Sequence, residues 1–188
     1  QPGMMEYEVE AELLHEFRRH GAQAPAYTPI VAGGASACVL HYIDNNAELK
    51  SGDLLLIDAG CELDGYAADI TRTFPVNGKF SPAQQDVYQL VLAAQAAAIT
   101  AVRPGSPWNA PHEAALRVLA QGFIDLGLCQ GSVDAVIQSE DYKRFYMHRT
   151  GPQRTRHAMC LVDVARPHRR RQAIHAAFGL LHHIGRIG

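Results

Sequence analysis

Residues 54–76 read LLLIDAGCELDGYAADITRTFPV, and the fold turns on how this stretch doubles back on itself. Leu54-Leu55-Leu56-Ile57 is a short apolar run ending in Asp58, and Tyr66 to Val76 is a second strand-like run. Asp64-Gly65, a strong local hairpin signal, sits between them. The pattern predicts a β-hairpin. A turn centred between Leu63 and Asp64 sets Asp58 directly opposite Asp69. A two-residue turn at Asp64-Gly65 instead sets Asp58 opposite Thr71, with Asp69 as its diagonal neighbour. Side chains alternate with a period of two along a strand, so both registers leave the two carboxylates on one face.

Two anions so placed repel by a few tenths of a kcal/mol to ~1 kcal/mol when exposed, and by more when water is excluded. A divalent cation reverses that sign. Carboxylates are hard oxygen ligands suited to ions such as Mn²⁺, Mg²⁺ or Co²⁺, and a pair of them can bridge two metals. The bland alternative, a solvent-facing hairpin with two ordinary acids, stays open on these residues alone.

Outward from the hairpin, Met5, Val9, Leu13 and Phe17 recur every four residues and predict an amphipathic helix closed by Gly21. Tyr27–Ala32 and Cys38–Tyr42 read as strands separated by Gly33-Gly34-Ala35-Ser36. Ser81, Pro82 and Gln84 supply an N-cap, a first-turn proline and a capping box for a long helix. Val87, Leu90 and Val91 begin its buried face, and Arg103-Pro104-Gly105 stops it after Val102. A further helix is expected from Pro111 to Leu126, with Leu116, Leu119 and Phe123 on one side, and a strand from Arg144 to His148. His15, His20 and His112 fall on helical patterns and read as surface or packing residues.

The chain has 188 residues, 47% hydrophobic and 19% charged, with a net charge of −2, the profile of an ordinary globular domain. That balance gives no general attraction for nucleic acid or an anionic membrane. The longest apolar runs are far too short to span a bilayer, and no basic-then-apolar leader opens the chain, so a cytoplasmic location is expected. Cys38, Cys61, Cys129 and Cys160 are scattered and read as reduced thiols. The opening Gln1-Pro2-Gly3, running straight into a helical pattern, reads as an excised segment.

Several strings occur in order: PGMMEYE from Pro2, LHY from Leu40, LIDAGCE from Leu56, GYAADITRTFPV from Gly65 and FYMH from Phe145. This succession resembles the catalytic domain of bacterial Xaa-Pro aminopeptidases (aminopeptidase P), over residues 1–148. The resemblance implies an α+β "pita-bread" fold, an antiparallel sheet with flanking helices, shared with prolidase, creatinase and methionine aminopeptidase. It also implies a hydrolase that releases the N-terminal residue from peptides with proline in second position. Carried onto this sequence, it makes Asp58 and Asp69 ligands of a dinuclear site, usually manganese, with Asp69 bridging both ions. His41 would lie near the substrate amino end and the attacking hydroxide, and His148 near the scissile bond, assisting proton transfer. The family assembles as homo-oligomers. In its mechanism a water held between two metals loses its proton near neutral pH and becomes the nucleophile.

The resemblance stops after His148. The family's next ligand, a histidine four residues on, is replaced by Pro152, and the two later glutamate ligands have no counterpart, since Glu140 is the last glutamate. From Arg149 onward there are eight arginines and a single acid, Asp163. Residues 149–188 therefore read as a non-matching tail, the product of a shifted reading frame in a GC-rich gene or a diverged segment. The expectation is an incomplete pita-bread fold with very weak metal binding and negligible activity. A prolidase-like dipeptidase and a non-catalytic pita-bread interaction module are the alternatives.

Overall fold

The computed structural model describes residues 1–147; His148 and the tail 149–188 lie outside the described residues. Within that range the chain forms two compact units, residues 1–80 and residues 81–147.

The first unit begins with α1, Glu6–Arg19. Glu8 opens the helix by accepting the Met5 N–H at 2.7 Å, and Gly21, at φ +91°, follows its end. Met5 therefore stands just outside the helix, while Val9 and Leu13 of the expected stripe pack on the sheet. Strands β1 (Ala24–Pro25) and β2 (Ile30–Gly33) follow, then the hairpin strands β3 (Leu54–Ala59), β4 (Cys61–Leu63), β5 (Tyr66–Ala67) and β6 (Ile70–Pro75). The hairpin is present, but it is shared between two antiparallel sheets. Its base gives the order β2-β3-β6 and its tip the order β1-β4-β5.

The turn is the two-residue one. Leu63 pairs with Tyr66, and Asp64 and Gly65 both take positive φ, 52° and 80°, as a hairpin turn of type I′ demands. Asp58 consequently faces Thr71. The hand-over between sheets falls at Gly60, whose carbonyl accepts the Ala26 N–H at 2.9 Å while the Ala68 N–H donates to Cys61 at 2.9 Å.

The sheet β2-β3-β6 has two different faces. Val31, Leu55 and Ile57 belong to the face that packs with Leu49 and with Met4, Val9 and Leu13. Each fully buried aliphatic side chain there contributes about 1.5–3 kcal/mol. The opposite face carries Ile30, Leu56, Asp58, Thr71 and Thr73, by the pairings Ile30 to Asp58, Leu56 to Thr73 and Asp58 to Thr71.

Two expected strands are corrected. Cys38–Tyr42 is not a strand: Gly34–Cys38 is a 3₁₀ helix and His41 takes φ +54°. The outward N–H groups of β2 at Val31 and Gly33 are already occupied by the side chains of Asn45 and Glu6, so no ladder is open to that segment. Arg144 onward is not a strand either. Asp141–Arg144 is a 3₁₀ helix, the N–H groups of Phe145 and Tyr146 bond back to Tyr142, and Phe145 packs its ring 5.4 Å from Phe123.

The second unit is helical. α2 spans Pro82–Ala101, with Ser81 and Gln84 forming the capping box. α3 spans Ala110–Asp125, and α4, a short helix over Val133–Ser139 capped by Ser132, was not anticipated. Val87, Val91, Ala94 and Ala98 form the buried stripe of α2. Leu90 lies over Gly122, where a Cβ would meet it at 2.2 Å, so the glycine sets how closely α2 and α3 approach. Cys38, Cys61 and Cys129 are free thiols. No described helix is long and apolar enough to cross a membrane.

Candidate functional site

Asp58 sits near the end of β3, directly opposite Thr71, and Asp69 lies immediately before β6, two residues from Thr71 on the same face. Both carboxylates are half-buried. Tyr27, in the bend between β1 and β2, joins them: its hydroxyl donates to Asp58 Oδ1 at 2.5 Å and lies 3.1 Å from Asp69 Oδ1. The two carboxylate oxygens therefore lie no further apart than the sum of those distances. Two unit charges about 5 Å apart repel by roughly 3 kcal/mol at an effective dielectric of ~20.

The Tyr27 hydroxyl is placed to offset that repulsion. Burial first, then the hydrogen bond and charge of Asp58 and the charge of Asp69, push its pKa far above the ordinary tyrosine range. The phenol thus stays protonated and serves as a donor. A single hydroxyl hydrogen faces two acceptors, which favours keeping both carboxylates close to it. Sequence reading missed Tyr27 as a site residue. Its only signal was a tyrosine beside an apolar strand, and the contact to residues 31 and 42 positions away is invisible locally.

Thr73 lies further along the same face, beside Leu56, and its Oγ1 is buried without a hydrogen-bond partner. The face thus offers two carboxylates, one neutral phenol and one orphaned hydroxyl, an all-oxygen set that matches hard divalent ions in kind. It falls short in number, because such ions take roughly 6 ligands each. No group of three or more acidic, histidine or cysteine side chains that could hold an ion occurs among the described residues. The described part of the chain does not by itself form a dinuclear centre.

His41 is not part of the Tyr27–Asp58–Asp69 trio. It lies on the turn after the 3₁₀ helix, exposed and in the left-handed region at φ +54°. Val39, Leu40 and Ile43 around it are each more than half exposed. His148 lies outside the described residues.

Comparison with known proteins is consistent with this geometry. The sequence profile of metallopeptidase family M24 matches residues 1–175. A Xaa-Pro aminopeptidase of Haemophilus influenzae is 52% identical over 150 residues, covering 80% of this chain and 35% of its own length. A Xaa-Pro aminopeptidase of Escherichia coli is 47% identical over 147 residues, covering 78% of this chain and 33% of its own length. The solved structure of Pseudomonas aeruginosa aminopeptidase PepP superposes with a TM-score of 0.78 at 58% identity, covering 79% of this chain and 34% of that one. The chain spans about a third of the length of the curated relatives it matches. The fold is the α+β arrangement of helices and antiparallel sheets expected from the sequence, and the neighbouring structure is an aminopeptidase. On the profile match and the identity to these relatives, the chain belongs to metallopeptidase family M24.

Proposed function

We propose that this chain carries the front portion of the catalytic domain of a manganese-dependent aminopeptidase that removes the first residue from peptides with proline in second position. The observation that carries the reading is the convergence of Asp58 and Asp69 on the Tyr27 hydroxyl. It places two anions side by side on the sheet face opposite α1, where only a cation or a donor makes the pair favourable. In the complete site Asp58 and Asp69 would hold metal, and the metal would supply a nucleophilic hydroxide and polarise the scissile carbonyl. Tyr27 would orient both carboxylates from the outer shell, the kind of contact that fixes ligand geometry in metal sites. His41 would face the substrate amino end, and His148 the scissile bond. A proline in second position has no amide N–H, so recognition there would rest on shape and on the N-terminal amine rather than on a backbone donor.

The 188 residues hold only part of that site. Pro152 stands where the resemblance calls for a histidine ligand, and no glutamate follows Glu140. The chain by itself therefore binds metal weakly and turns over negligibly. A hybrid tests the reading, with residues 1–147 exchanged for the matching segment of the Escherichia coli relative. It should cleave a Xaa-Pro-Xaa tripeptide, and Asp58→Ala or Asp69→Ala in the exchanged segment should abolish cleavage. A folded hybrid that is inactive, or one indifferent to both aspartates, contradicts the proposal.

A further inference from the structure

β2 is the edge of its sheet, and an edge strand presents outward N–H groups that need acceptors. Here they are met by side chains. The Val31 N–H donates to Asn45 Oδ1 at 2.9 Å, and the Gly33 N–H to Glu6 Oε1 at 2.7 Å. The other oxygen of Glu6 accepts the Tyr42 hydroxyl at 2.8 Å and the Ala47 N–H at 2.9 Å. The Glu6 N–H in turn donates to the Ala47 carbonyl at 2.9 Å. One turn along α1, Glu10 accepts from Asn45 Nδ2 at 2.9 Å, and the same amide donates to the Pro29 carbonyl.

Glu6 is wholly buried and Asn45 nearly so, at 0% and 2% exposure. A buried carboxylate is tolerated where its oxygens are saturated by donors, and here three donors converge on one side chain. They come from both ends and from the middle of the segment between Gly33 and Ala47. That segment holds two non-glycine residues in the left-handed region, His41 at φ +54° and Asn45 at φ +45°. Asparagine adopts this region at little cost, but for His41 it costs about 1–2 kcal/mol and persists only where the surroundings over-determine it.

We propose that Glu6 is a positioning residue: with Asn45 it stands in for the missing neighbour strand of β2 and fixes the conformation of residues 34–47, and so the placement of His41. Nothing in the helical pattern of α1 singles Glu6 out, and its partners lie 27 to 41 residues away.

The test is NMR of the full isotope-labelled chain, with the His41 imidazole resonance assigned by its loss in His41→Gln. In Glu6→Gln an amide must face a backbone donor. The His41 resonance should shift, and hydrogen exchange at Gly33 and Ala47 should accelerate at least ~10-fold. His15 and His20, exposed on the far end of α1, should keep their resonances. Tyr42→Phe is the milder variant. It leaves both backbone donors on the carboxylate, so the His41 resonance should shift while Gly33 and Ala47 stay protected. An unmoved His41 resonance in folded Tyr42→Phe overturns the proposal. So does Glu6→Gln in which exchange rises equally throughout β3 and β6, because that marks general destabilisation. The inference rests on the proposed function only in treating His41 as a substrate-facing group. Peptide cleavage by the hybrid speaks to that role, and the resonance speaks to Glu6.

Discussion

Gly60→Ala should be among the most damaging small substitutions in the first unit, and its cost can be worked from the structure. Gly60 is not in the left-handed region, so backbone freedom is not the reason for a glycine there. Space is. A Cβ at this position would lie 1.8 Å from the Ala68 carbonyl oxygen, 2.3 Å from its carbon and 3.0 Å from the Asp69 nitrogen. Real Cβ atoms essentially never approach below 3.0 Å, so the two backbones must part by at least 1.2 Å, the difference between 3.0 and 1.8 Å. No side chain can rotate away to relieve this. Overpacking in well-packed sites costs 1–3 kcal/mol, and a backbone–backbone clash belongs at the upper end, about 3 kcal/mol. The hydrogen bonds from Ala26 to Gly60 and from Ala68 to Cys61 flank the clash, and losing them adds about 1 kcal/mol each. Gly78→Ala is the control, because nothing lies within 4 Å of a Cβ there and only its φ of +79° penalises alanine, by about 1–2 kcal/mol. Urea unfolding followed by far-ultraviolet circular dichroism compares the two, with hydrogen exchange locating the damage at Asp69 and Ile70. Equal, mild losses for both variants refute the argument.

Three further outcomes follow from the site. The Tyr27 phenol, with its pKa raised by burial and by both aspartates, should stay neutral while ordinary tyrosines ionise near pH ~10. Because the folded-state pKa is the higher one, the stability tied to Tyr27 is fully present below pH ~10 and is lost as pH rises beyond it. Tyr27→Phe should therefore leave the tyrosinate absorbance of the folded chain unchanged up to that range, and a smaller amplitude in the variant refutes this. Asp58→Asn keeps an acceptor for Tyr27 and removes one of two adjacent charges; relief of the roughly 3 kcal/mol repulsion, less about 1–2 kcal/mol as the charge-assisted bond from Tyr27 becomes a neutral one, should leave the metal-free chain about 1 kcal/mol more stable in urea unfolding, and a loss contradicts the repulsion argument. Translating the parent DNA beyond the codon for Gly151 in its other two frames should reveal a glutamate-containing continuation like that of the relatives, and none in either frame counts against a shifted frame.

Where structure is set by neighbours in sequence, the chain could be read directly. The capping box of Ser81 and Gln84 placed the start of α2 to the residue, and of the two hairpin registers that the sequence left open the structure takes the two-residue turn at Asp64-Gly65, which sets Asp58 against Thr71. The common face of Asp58 and Asp69 followed from strand alternation alone. What escaped depends on distant partners. Cys38–Tyr42 has the composition of a strand, but the side chains of Glu6 and Asn45 already fill the edge it would have joined. Tyr27 reaches its carboxylates across 31 and 42 residues. Glu6 looks like any charged residue of a first helical turn, yet it is wholly buried. The split of the hairpin between two sheets comes from the close passage of Gly60 and Ala68, which no local pattern announces. α4 is only seven residues long, too short for a period to show.

On the proposed function, Asp58 and Asp69 would be two ligands of a metal site whose remaining histidine and glutamate ligands have no counterpart in these 188 residues. Manganese bound per polypeptide, measured by elemental analysis after equilibrium dialysis, tests it for the chain and for the hybrid side by side. The chain alone should hold far less than one ion and the hybrid about two, lost with Asp58→Ala and Asp69→Ala. Two tightly held manganese ions on the chain alone would contradict it.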